Sequence, residues 1–166
     1  MHKINWKFDN TYSKLSETFR EFVKPTPVHN PEIVIFNHQL AKELNLDFSK
    51  INNIELSKIF SGNSLPQETK TLAQAYAGHQ FGHFTMLGDG RAVLLGEHLD
   101  SKKNRYDIQY KGSGRTSFSR GGDGRAALGP MLREYLISEA IHALNIPTTR
   151  SLAVVKTGEK VVRENL

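Results

Sequence analysis

The residues with the most capacity for chemistry crowd into LGDGRAVLLGEHLDSKKNRYDIQYKGSGRTSFSRGGDGRAALGPMLREYL, from Leu87 to Leu136. Within it GDGR, residues 88–91, reads first as a tight turn, because Gly and Asp tolerate the positive φ such turns need. The same residues have a second use. Glycines let backbone N–H groups approach a phosphate closely, and Arg91 offers a two-pronged fork to its oxygens. Lys111 ends an alternating stretch on its polar side, where a lone lysine is ordinarily a solvated charge. It gains another meaning if a carboxylate holds it, and Glu134, on the inward half of a long helical pattern, is the candidate.

A strand lysine held by a helix carboxylate, beside a glycine turn, is the device with which protein kinases grip ATP phosphates. Between the two lies GSGRTSFSRGGDGRAALG, which spaces Arg115, Arg120 and Arg125 among small residues ahead of a helix N-terminus that itself attracts anions. Two uses fit that spacing: phosphate binding, or a flexible basic loop with affinity for nucleic acid. Nucleic-acid recognition would want aromatic rings for stacking, and Phe118 is the connector's one aromatic residue. GHQFGH, residues 78–83, has the HxxxH spacing of a metal site, but Gln80 stands where a zinc hydrolase needs a glutamate, and Gly82 interrupts the helix. A helix end packing His79 and Phe81 inward is the simpler reading.

The elements that must position these residues follow from periodicity. Residues 1–30 read as an irregular arm with one short helix, broken by the prolines of KPTPVHNP. EIVIF predicts a strand, HQLAKELNLD a short helix, and NNIELSKIFSGN a second helix stopped at Gly62. Leu72, Ala75, Tyr76 and His79 share one face of a predicted third helix. From Phe84 the period turns extended: a hairpin around GDG, then a third strand, RYDIQYKG, alternating Tyr106, Ile108 and Tyr110 with polar neighbours. AALGPMLREYLISEAIHALNI is the longest helical pattern, closed by Pro147, and SLAVVKTGEKVVREN predicts a second hairpin. Five antiparallel strands with one inserted long helix make an α+β lobe.

With 166 residues the chain can bury one core, as a single domain or one lobe of a larger protein. It has no cysteine, which excludes disulfides and thiolate metal sites. The N-terminal MHKINWKFDNTYSKL lacks the apolar stretch of a secretion signal, and the expectation is a cytoplasmic protein. Its 22 Lys and Arg outnumber 17 Asp and Glu, but the two signs interleave except between Lys102 and Arg125, where the only acids are Asp107 and Asp123.

QAYAGHQFG, then LGDGRAVLLGE, then YKGSGRTSFSRGGDGRAALGPMLREYLISEAIHALNIPTTRSLAVV resemble, in order and spacing, the selenoprotein O family of kinase-like protein adenylyltransferases. The resemblance is close over residues 64–166 and loose over the arm. It implies a kinase-like N-lobe over 64–166 preceded by a helical arm over 1–63. It also implies transfer of AMP from ATP to Ser, Thr or Tyr hydroxyls of proteins, with the nucleotide flipped relative to ordinary kinases. Gly88, Gly90 and Arg91 match the nucleotide-contacting turn, Lys111 the phosphate-binding lysine and Glu134 the carboxylate that supports it; Asp123 and Gly124 match further ATP contacts.

Family members are far longer, and the catalytic aspartate and the ligands for Mg²⁺ or Mn²⁺ are expected beyond Leu166, so no catalytic or metal-ligating residue is assigned in this chain. As an N-terminal fragment it is expected to bind ATP weakly, to catalyse little or nothing, and to expose an apolar face where a second lobe would dock. The partners implied are ATP and hydroxyl-bearing proteins, not nucleic acid or membrane. The competing expectation is a non-catalytic basic module that binds nucleic acid or another chain.

Overall fold

Antiparallel pairing between distant segments organises the chain. The computed structural model describes residues 4–80 and 82–163. In chain order these form β1 (Arg20–Phe22), β2 (Glu32–Phe36), α1 (His38–Glu43), α2 (Asn53–Ser61), β3 (Leu72–Gln74), β4 (Gly78–Gln80), β5 (His83–Thr85), β6 (Ala92–Leu99), β7 (Arg105–Lys111), α3 (Leu128–Ala143) and β8 (Ala153–Lys156). The main sheet has the order β1-β3-β6-β7, and β2-β8 and β4-β5 form separate antiparallel pairs. The architecture is α+β.

The apolar run of β6 is buried along nearly its whole length, with Val93, Leu94 and Leu95 almost completely inaccessible. Such a strand needs neighbours on both edges. β7 covers one; β3 and then the arm cover the other, where Asp9 N–H donates to Glu97 O (3.0 Å) and Leu99 N–H to Lys7 O (2.9 Å). A second core joins Leu40, Leu44, Leu46, Phe48 and Leu56 under Trp6, Phe36 and Phe60. Asn37 and Asn52 start α1 and α2 by accepting from Leu40 and Glu55 N–H groups, and Gly62, at φ 86°, ends α2.

Four sequence expectations are corrected here. Residues 72–74 form a strand, not a helix: Leu72 pairs with Leu94 and also with Phe22, so the helical spacing of Leu72, Ala75 and Tyr76 loses to burial between two strands. The segments flanking GDG do not pair with each other, because β5 pairs with β4 while β6 takes β3 and β7. Nor, among the described residues, is there a hairpin around KTGEK. β8 pairs with β2, residues 161–163 form no strand, and Arg163 turns to Asp123 instead. The arm holds two 3-10 turns, Tyr12–Lys14 and Glu17–Phe19, and β1 in place of one helix.

α3 is held from one side. Arg150 donates to both oxygens of Glu139 (2.6 and 2.7 Å) and to Glu43 (3.3 Å), tying α3 to α1 and lowering the Glu139 carboxyl through those hydrogen bonds. Leu136 and Ile137 of the helix, and Leu144 just past its end, remain exposed.

His98 joins arm, helix and sheet, and gives the fold a pH dependence. The ring is buried; Nδ1 accepts from Lys7 N–H (3.2 Å), and Nε2 lies 2.8 Å from Leu44 O, to which it donates in the neutral tautomer. Burial lowers its pKa below the ordinary value. The unfolded chain therefore binds the proton more readily, so the stability from neutral His98 is complete above the unfolded pKa of about 6.5 and is lost as pH falls through the lower folded value. Urea midpoints should drop from about pH 7 to 5, and the His98→Gln variant should show a flatter dependence across that window.

Candidate functional site

Alternation along β7 sends Tyr110 inward, its hydroxyl donating to Ile59 O (2.6 Å), and Lys111 outward at the strand's end. The register sets Lys111 opposite Ala92, and Gly112 N–H donates to Arg91 O (3.0 Å), so the lysine stands beside the GDGR turn. α3 supplies the partner: Lys111 Nζ lies 2.7 and 2.9 Å from the two Glu134 carboxylate oxygens. Both side chains are nearly half exposed, at 42% and 49%, so the pair opens onto solvent and a ligand can reach the ammonium.

The turn is clamped to the end of β3. Gly88 N–H donates to Tyr76 O (3.0 Å) and Asp89 N–H to Gln74 O (2.9 Å), while the Asp89 carboxylate accepts from Gln74 N–H (3.0 Å). Burial raises the Asp89 pKa against that hydrogen bond. Gly88 is obligatory: at φ 62° a Cβ would lie 2.5 Å from the Phe118 ring. That ring is packed against the turn, which removes the connector's one aromatic residue from any stacking role. Gly90, at φ 66°, has open space beside it, and its carbonyl accepts from Thr116 (2.6 Å) and Ser119 (3.0 Å) hydroxyls.

The connector closes on itself where Gly114 N–H meets Gly124 O (3.3 Å). Next to this pinch, Asp123 accepts a fork from Arg163 (2.9 and 3.0 Å) and the Arg125 N–H (2.8 Å), which hold its carboxyl below the usual range. Arg91 donates to Arg125 O (3.2 Å). Gly88, Gly90, Arg91, Lys111, Asp123 and Gly124 thus line one open cleft of about 550 Å³. Arg120, Arg125 and Arg163 line it too, and an arrangement of cations around bendable backbone suits a polyanion. A metal ion is not provided for in the same way. Glu134 faces Lys111 and Asp123 faces Arg163, and among the described residues no group of three acidic, His or Cys side chains could hold one.

His79 and His83 lie on the paired strands β4 and β5, not on a helix, and His79 is exposed with its ring edge-on to Phe84. The expected inward packing of His79 fails because its segment is a projecting hairpin; Phe81 lies outside the described residues.

The family model described as Protein adenylyltransferase SelO matches residues 2–166. The chain belongs to this family. It is 69% identical over 98% of its length to a Pelagibacter ubique protein nucleotidyltransferase YdiU, and 64% identical over 96% to the Anoxybacillus flavithermus protein of the same name. It covers 34% and 33% of those relatives, so it spans about a third of their length. These similarities place the chain in a family of protein nucleotidyltransferases. Against that background, residues that sequence patterns did not bring to the cleft become relevant: Tyr76 and Gln80, assigned to a helix that is not there, and Arg163, assigned to a missing strand. The helical reading of their segment hid Tyr76, which is tied to Gly88 through its carbonyl, and Gln80, which pairs with His83; Arg163 arrives through its ion pair with Asp123.

Proposed function

We propose that this chain is the nucleotide-gripping, kinase-like N-lobe of a SelO-family adenylyltransferase, with residues 64–166 forming the lobe and 1–63 an arm around it. The observation that carries this is the Lys111–Glu134 pair, opening into the cleft walled by the GDGR turn. Lys111 and the arginines would neutralise the triphosphate, and Gly90 would let it approach the backbone. In the flipped orientation the oxygen of a Ser, Thr or Tyr hydroxyl on a protein attacks the α-phosphorus. The bond from that phosphorus to the bridging oxygen breaks, pyrophosphate leaves, and the hydroxyl proton passes to a base. We assign the base, and the residues that bind Mg²⁺ or Mn²⁺, to the two thirds of the family polypeptide that this chain does not span; the metal would supply charge neutralisation at the phosphates.

A chimera in which this chain replaces its matching third of the Pelagibacter ubique relative provides the full-length context. Incubated with substrate protein and ATP labelled at either the α- or the γ-phosphate, it should transfer α label only. Transfer of γ label would make it a kinase and overturn the reading.

A further inference from the structure

We propose that Tyr76, Leu87 and Gln80 form a purine-base subsite at the end of the cleft remote from Lys111, an inference that rests on the nucleotide reading above. The sheet order fixes the two ends. Lys111 ends β7, Tyr76 continues β3 through its carbonyl's bond to Gly88 N–H, and β6 lies between them. Two strand spacings separate these lines of backbone, about 10 Å, a reach comparable to that from a purine to the phosphates of one extended nucleotide.

Lys111 and the arginines supply the cleft's cations, while Leu87 precedes Gly88, whose N–H is bonded to the Tyr76 carbonyl, and Tyr76 carries the one aromatic ring among the described lining residues. That ring is 53% exposed, whereas the Phe118 ring is packed against Gly88. An exposed ring at the wall of a polar cleft offers a stacking face to a base, and stacking accepts any base. Gln80, on the β4 strand that follows, adds an amide whose donor and acceptor match the N6 and N7 edge of adenine. Ring and amide together would favour ATP over a bare triphosphate and over GTP.

The test measures dissociation constants of the chimera for ATP, GTP and inorganic tripolyphosphate at one salt and metal concentration. Tyr76→Ala should weaken ATP about tenfold and leave tripolyphosphate unchanged, Tyr76→Phe should retain ATP affinity, and Gln80→Leu should narrow the preference for ATP over GTP. Lys111→Ala should weaken both ATP and tripolyphosphate. Equal losses of ATP and tripolyphosphate in Tyr76→Ala, or no loss of either, would overturn the subsite while leaving the nucleotide reading in place. If the unaltered chimera bound neither compound, the nucleotide reading itself would fall, and the subsite with it.

Discussion

Replacing Lys111 with alanine should lower AMP transfer by the full-length chimera about a hundred- to a thousandfold, the usual cost of removing one preorganised charge from a developing phosphate transition state. Stability should hardly change. The Lys111–Glu134 pair is nearly half exposed, and ion pairs in that setting contribute about 0–1 kcal/mol. Glu134→Gln should fall between the two: the lysine keeps its charge but loses the partner that aims it, so transfer drops while the urea midpoint holds. Rates and midpoints measured side by side separate these roles. A Lys111→Ala variant with unchanged transfer would show that the pair is ornament on a sheet edge.

Gly124→Ala should be the most damaging small substitution in the cleft. Its added Cβ would lie 1.8 Å from Gly114 O and 2.2 Å from that carbonyl carbon, contacts with backbone that no side-chain rotation relieves. The left-handed φ of 67° adds about 1–2 kcal/mol for any residue with a Cβ. We expect a loss above about 3 kcal/mol, or opening of the connector with loss of ATP affinity. Gly90→Ala is the control. It shares the left-handed backbone, at φ 66°, but meets no atom within 4 Å, so it should cost only the conformational part, about 1–2 kcal/mol. Urea titration of both variants checks the difference, and equal losses would mean that conformation alone governs the connector.

What could be read from the sequence was what local spacing encodes. The two-residue alternation of Arg105–Lys111 put Tyr110 inside and Lys111 outside, and the long helical period over Leu128–Ala143 placed Glu134 on α3. The glycine turn was legible because Gly88 and Gly90 need positive φ. What failed was pairing over distance. Leu72, Ala75 and Tyr76 have helical spacing, yet Leu72–Gln74 becomes a strand because β1 and β6 flank it; β8 finds its partner in β2, near the other end of the chain. Residues 161–163 have the β-branched look of a strand, yet Arg163 is taken by a carboxylate, Asp123, 40 positions earlier. The cleft's second wall was hidden because Tyr76 and Gln80 fall in a segment with helical spacing, which instead bonds Tyr76 O to Gly88 N–H and pairs Gln80 with His83.

In the proposed function this chain holds ATP so that AMP, not phosphate, moves to a protein hydroxyl. Intact-mass analysis after incubation with ATP and Mg²⁺ or Mn²⁺ tests it most directly, run on a substrate protein with the chain alone, the chimera and the chimera carrying Lys111→Ala. The account predicts addition of AMP by the chimera only, with the chain alone and the lysine variant giving none. Addition of a phosphoryl group, or AMP addition that survives Lys111→Ala, would contradict it.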